Sequence, residues 1–170
     1  MLLPHEILGR LPASTTSEIF AYLHEHQRPI YRATLDSLAK ANNLRPVFLE
    51  RKPRADRHLW MADKLRRKNN DSLAAHLLQA WLVGAHKNLL CDFLDGLGIP
   101  HDENGTIENL PEAPSRESLT AVIDSLRTRY DQILLATYLN AFQALDSEGW
   151  HTLAELLAQD PSLQLPAPTP

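Results

Sequence analysis

Apolar residues recur along this chain at helical spacings of three and four almost throughout, and no run alternates as a strand does. Thr15-Thr16-Ser17-Glu18 has the form of a capping box, with Thr15 as cap and Glu18 reaching back to it. It predicts a helix carrying Ile19, Phe20, Tyr22 and Leu23 that stops before Pro29. Pro29 suits the first turn of a second helix, bearing Ile30, Tyr31, Leu35 and Leu38. Asn42-Asn43 ends it, because Asn tolerates the left-handed cap geometry. A short turn from Pro46 to Lys52 follows, and Pro53 opens a helix to about Lys68.

The longest predicted helix covers 72–95, with Asp71 as its cap and Gly96 closing it. Its apolar residues, from Leu73 through Trp81 to Leu94, cover almost the whole circumference, which predicts a central position. Gly84 in its middle predicts close approach of a neighbouring helix. Residues 96–114 form a loop rich in glycine and proline. Ser115 caps a helix to about Arg129, another runs from about Asp131 to Leu145, and Ser147 or Glu148 begins a last one. Its inner face carries Trp150, Leu153, Leu156 and Leu157.

The expected fold is therefore all-α: one compact domain of about seven helices over 1–163, as a helical bundle or a short helical-hairpin array. Tyr22-Leu23, Trp81-Leu82 and Tyr138-Leu139 recur at spacings of 59 and 57, a loose sign of stacked hairpins. The tail 164–170 holds three prolines and is expected to be extended and poorly ordered.

Composition narrows the setting. Pro4 and Glu6 interrupt the apolar run a signal peptide needs, and no stretch approaches the ~18 apolar residues of a membrane span. The single cysteine, Cys91, cannot form an internal disulfide, which points to the cytoplasm and to a buried structural thiol.

Charge changes the picture more. Residues 1–88 hold 14 Lys+Arg against 8 Asp+Glu, a balance of +6; residues 89–170 hold 3 against 13, a balance of −10. Nine basic residues lie within 45–68, opposed only by Glu50, Asp56 and Asp63. On the helix 53–68, Ala55, His58, Leu59, Met61, Ala62 and Leu65 make one apolar face. Trp60 falls instead on the charged face, near Arg57, Lys64 and Arg67. Arg54, Arg57, Trp60, Lys64 and Arg67 are thus the candidate binding residues. They suit an acidic protein partner, or a single-stranded nucleic acid whose bases stack on the ring while cations hold phosphates. The alternative is a ring packed in the fold beneath its neighbours' aliphatic stems. A helix-turn-helix around 38–53 fails because Lys52 occupies an apolar position and Pro53 cuts the second helix short.

No metal signature occurs: His24-Glu25-His26 puts its two rings on opposite sides of a helix, and there is no His-Glu-x-x-His or Cys-x-x-Cys. His76, Gln79 and His86 share a stripe of the long helix and are the candidates for a core pocket holding a ligand or metal. The loop at His101–Ile107 lacks two ligands of a calcium loop, and Asn104-Gly105 is simply a tight turn. No nucleophile–base grouping or glycine-rich phosphate loop is present, so no cofactor is implied and the balance leans away from an enzyme. The expected function is a non-catalytic interaction or regulatory module with a charge-polarised surface. It would bind a protein partner, or a second copy head to tail through opposite charges; nucleic acid is the alternative.

Overall fold

Proline and asparagine punctuate the first third of the chain, and the helix ends fall where they stand. The computed structural model describes residues 1–146 and 149–167. Among these residues all regular structure is helical, in ten α-helices and two 3-10 turns, which bears out the all-α expectation at that level. The helices are α1 (Pro4–Arg10), α2 (Ala13–His26), α3 (Arg28–Ala41), α4 (Pro46–Glu50) and α5 (Arg54–Leu65). They continue as α6 (Asp71–Ala85), α7 (Lys87–Gly96), α8 (Arg116–Arg127), α9 (Gln132–Leu145) and α10 (His151–Gln159). The count exceeds the seven expected.

The chain divides into two compact units: Pro4–Trp81 with the first residues after Leu165, and Leu82–Leu165 with Met1–Leu3. In the first unit, α2 packs on α3 and α5, and α1 packs on α5. Ile7, Ile19, Phe20, Leu23, Leu38, Met61 and Leu65 fill its core. α1, which the sequence pattern missed, is a single short amphipathic stretch. Its N-terminus is capped from outside, since Asp71 Oδ1 accepts the His5 backbone N–H at 3.0 Å and meets His5 Nδ1 at 2.7 Å. Asn43, at φ 54°, closes α3: the N–H of Leu44 reaches Ala39 O at 2.9 Å and that of Asn43 reaches Lys40 O at 3.1 Å. This is the left-handed termination expected of Asn.

In the second unit α7 packs on α8, and α10 on α8 and α9. Its core holds an aromatic series in which Phe93 lies 5.4 Å from Tyr138 and 5.3 Å from Phe142, and Phe142 lies 5.4 Å from Trp150. These tilted, edge-on arrangements are the favoured ones for such rings. Ser115 caps α8, accepting the Ser118 N–H, as the sequence predicts, and Asp131, where the next helix was expected to begin, is the cap of α9. Asn140 Nδ2 donates to Leu163 O at 3.1 Å, Gln164 Nε2 donates to Ala158 O at 2.8 Å, and Leu165 is buried. The expected starts at Ser147 or Glu148 lie outside the described residues, as do the last three residues of the tail.

Two expectations are corrected. α2 begins at Ala13, so Thr15 lies inside the helix and is not its cap. Pro12 leads into it, and its carbonyl takes both the Thr16 N–H at 3.0 Å and the Thr16 hydroxyl at 3.2 Å. The single helix over 72–95 is two helices, broken at His86, whose φ −128° and ψ 27° leave the helical region. The His86 N–H still reaches Leu82 O at 3.0 Å, and its C=O takes the Leu89 N–H at 2.9 Å, so the break loses little hydrogen bonding. The phase of the apolar pattern resets there: α7 buries Leu89, Leu90, Phe93 and Leu94 and exposes Lys87, Asn88 and Asp95. Two one-sided faces, laid end to end, had looked like one apolar circumference. A tight helix contact is also made at Gly96, where a Cβ would stand 2.9 Å from Val122 Cγ1.

Candidate interaction surface

α5 carries the five residues proposed from the sequence, and its buried side sets where they point. His58, Met61 and Leu65 are buried, which anchors the helix against α1 and α2. Leu59, assigned to the same apolar face, is 62 % exposed. Trp60 is half-buried, and Lys64 Nζ lies 5.8 Å from its ring centroid. Lys64 also meets Asp63 Oδ2 at 2.9 Å, and Arg67 stands 3.9 Å from that oxygen. The Lys64 hydrogen bond is the main reason the Asp63 carboxyl titrates below its usual range. Arg54 is exposed, 3.9 Å from Glu25.

Arg57 turns the other way, away from the Trp60 edge. Its guanidinium carbon lies 5.8 Å from the Tyr31 ring centroid, and its Nε is buried without a hydrogen-bond partner. Beneath it, His58 Nε2 and the Tyr31 hydroxyl are 3.1 Å apart, and Phe20 packs on the His58 ring at 5.3 Å. Burial, then the charges of Arg57 and Arg54, push the His58 pKa down to about 4. Burial, then the charges of Arg54, Arg28 and Arg57, lower that of His24, whose ring meets Tyr31 edge-on at 5.0 Å. The five sequence candidates therefore split. Trp60, Lys64 and Arg67 share one edge with Asp63, while Arg57 belongs to a polar cluster with Tyr31, His24 and His58.

A patch the sequence argument passed over stands beside them. α4 has five residues and buries only Leu49. Val47 and Phe48 are 43 % and 56 % exposed, and Leu44, just before α4, is also exposed. Exposed Arg45, Arg51 and Lys52 flank them. Ion pairs among the described residues engage Arg54, Lys64 and Arg67 but not these three. The signal was available: Val47-Phe48-Leu49 are consecutive, and one short helical turn cannot turn three neighbours inward.

The residues proposed for a core pocket are placed differently from that expectation. His76 and Gln79 are exposed on α6, and His86 is half-buried at the break before α7, so His76 and Gln79 do not line a core. The apolar residues of α6 carry its burial and leave these polar positions outward. Among the described residues no three His, Cys, Asp or Glu side chains gather as a metal site. Cys91 is half-buried, and burial together with Asp95 and Asp92 raises its thiol pKa. In the 96–114 loop, Asp102 Oδ1 accepts the N–H groups of Asn104 at 2.9 Å and Thr106 at 2.8 Å, and Gly105 takes φ 76°. That geometry is the expected tight turn. No helix among the described residues is long and apolar enough to cross a membrane. Compared with known proteins, the chain matches no family model, no curated protein and no solved structure.

Proposed function

We propose that this chain is a non-catalytic interaction module whose basic unit docks on an acidic protein surface through the α4 apex. The observation that carries the reading is the exposure of Val47 and Phe48 between the uncommitted cations Arg45, Arg51 and Lys52. An aromatic anchor inside a ring of charge is the usual energetic pattern of a protein interface, with the charges steering encounter. The unit Pro4–Trp81 holds 13 Lys+Arg against 8 Asp+Glu, a balance of +5, so its partner carries the opposite sign. A short helical-hairpin array is a suitable scaffold for such an apex, and the cytoplasm a suitable compartment.

Nucleic acid is less well supported. Lys64 already covers the Trp60 ring, and Asp63 already engages Lys64 and Arg67. Stacking would require an open ring face.

Fluorescence anisotropy tests both. The probes are a labelled Glu/Asp-rich peptide containing Leu and Phe, and labelled single-stranded RNA and DNA. Salt-sensitive peptide binding that Phe48→Asp abolishes supports the docking reading. Oligonucleotide binding that Trp60→Ala abolishes, with the peptide unbound, replaces it.

A further inference from the structure

A second feature of the basic unit is concave. A cavity of about 230 Å³ is lined by His24, Arg28, Tyr31, Arg32, Glu50 and Arg57, contributed by the end of α2 and by α3, α4 and α5. Three guanidinium groups face it against one carboxylate. Arg32 is held at 3.2 Å from Glu50 Oε1, which leaves Arg28 and Arg57 uncompensated at the cavity wall. Two polar atoms there are buried without a hydrogen-bond partner: His24 Nδ1 and Arg57 Nε. A buried polar atom normally has a partner, and its absence calls for an explanation such as a bound ion.

We propose that this cavity is a phosphate site. It would take the dianion of inorganic phosphate or of a phosphate monoester. Its planar donors match tetrahedral oxyanions bidentately, which a scatter of lysines does not. Three arginines less Glu50 leave two positive charges, the number a phosphate monoester dianion neutralises near neutral pH. Arg57 Nε donates to one oxygen, and His24 Nδ1, in its N–H tautomer, to another. The volume lies below the roughly 300–1,000 Å³ of sites for drug-sized ligands, so the cavity suits the phosphate group and not a whole nucleotide. The site is independent of the α4 apex, whose exposed Val47 and Phe48 do not line it.

The test is calorimetric titration of the full chain with sodium phosphate at constant ionic strength held by chloride. The expected result is saturable one-site binding with a Kd of about 1 mM or tighter. Arg28→Gln with Arg32→Gln, both exposed positions, should weaken it about tenfold or more while leaving the circular dichroism unchanged. Arg57→Lys, which keeps the charge and loses the fork, should weaken it as well if that variant folds. No saturation by about 10 mM, or equal affinity in the Arg28/Arg32 double variant, overturns the proposal. A phosphoserine peptide and its unphosphorylated twin distinguish the source. Phosphate-dependent peptide binding, competed by inorganic phosphate, indicates a chain-borne group; binding of inorganic phosphate alone indicates a free one. Phe48→Asp should leave phosphate binding intact, so the two readings fail separately.

Discussion

His58 shows how a polar residue on an apolar helix face is accommodated. Its ring takes a core position because it can pack on Phe20 while its Nε2 shares a hydrogen bond with Tyr31. Only the neutral form fits there, since burial and two nearby arginines oppose a second ring proton. The linkage follows from the sign of the shift. With a folded pKa of about 4 against 6.5 unfolded, the unfolded chain takes up a proton first as pH falls. The stabilising contribution is therefore complete above about pH 6.5, is lost progressively between about 6.5 and 4, and falls no further below that. Its size is on the order of 3 kcal/mol. His24, shifted the same way, steepens the loss. Urea unfolding at stepped pH values should show stability falling through this window, and His58→Gln should flatten the slope there. An unchanged slope in His58→Gln would mean that other groups govern acid sensitivity.

At the scale of elements, the sequence was legible where the chemistry of a helix end is local. Ser115 and Asn43 act through bonds to residues three positions away, and each is legible from its neighbours alone. It was illegible where the deciding partner is distant. The N-terminus of α1 is capped by Asp71, 66 residues on, and no local pattern announces that. Glycine shows the same division. Gly96 reads in the sequence only as a helix end, and only the position of α8 tells that it faces Val122. In Gly96→Ala the new methyl would meet Val122 Cγ1 at 2.9 Å and Cγ2 at 3.0 Å. Valine has little χ1 freedom with which to clear it. Overpacking of about 1–3 kcal/mol then outweighs the helix-propensity gain of at most about 1 kcal/mol. Gly96→Ala should lower the Tm, and adding Val122→Ala should recover part of the loss in a double-mutant cycle. Additive effects would show that the two positions do not touch.

At the scale of the whole molecule, the charge asymmetry seen in the sequence follows the structural division. The unit ending at Trp81 carries +5, and residues 82–165 hold 4 Lys+Arg against 13 Asp+Glu, a balance of −9. The sequence thus located the basic region, but not which cations in it are available. Helical spacing favours Arg54, Lys64 and Arg67 over Arg51 and Lys52, because it omits Glu25 from α2 and the side-chain reach of Asp63. Exposed ion pairs of this kind are worth little for stability, but they lower the charge a partner meets. Two variants of equal formal charge change therefore should behave differently. Arg51→Glu with Lys52→Glu, at the α4 apex, should weaken binding of the acidic peptide about tenfold or more and flatten its salt dependence. Arg54→Glu with Arg67→Glu should weaken it by no more than about threefold, because those charges are already partly answered within the chain. Anisotropy from 50 to 500 mM salt, about a threefold contraction of the Debye length, reads both effects in one series. Equal losses in the two variants would mean that the basic unit acts as a diffuse field rather than through the apex.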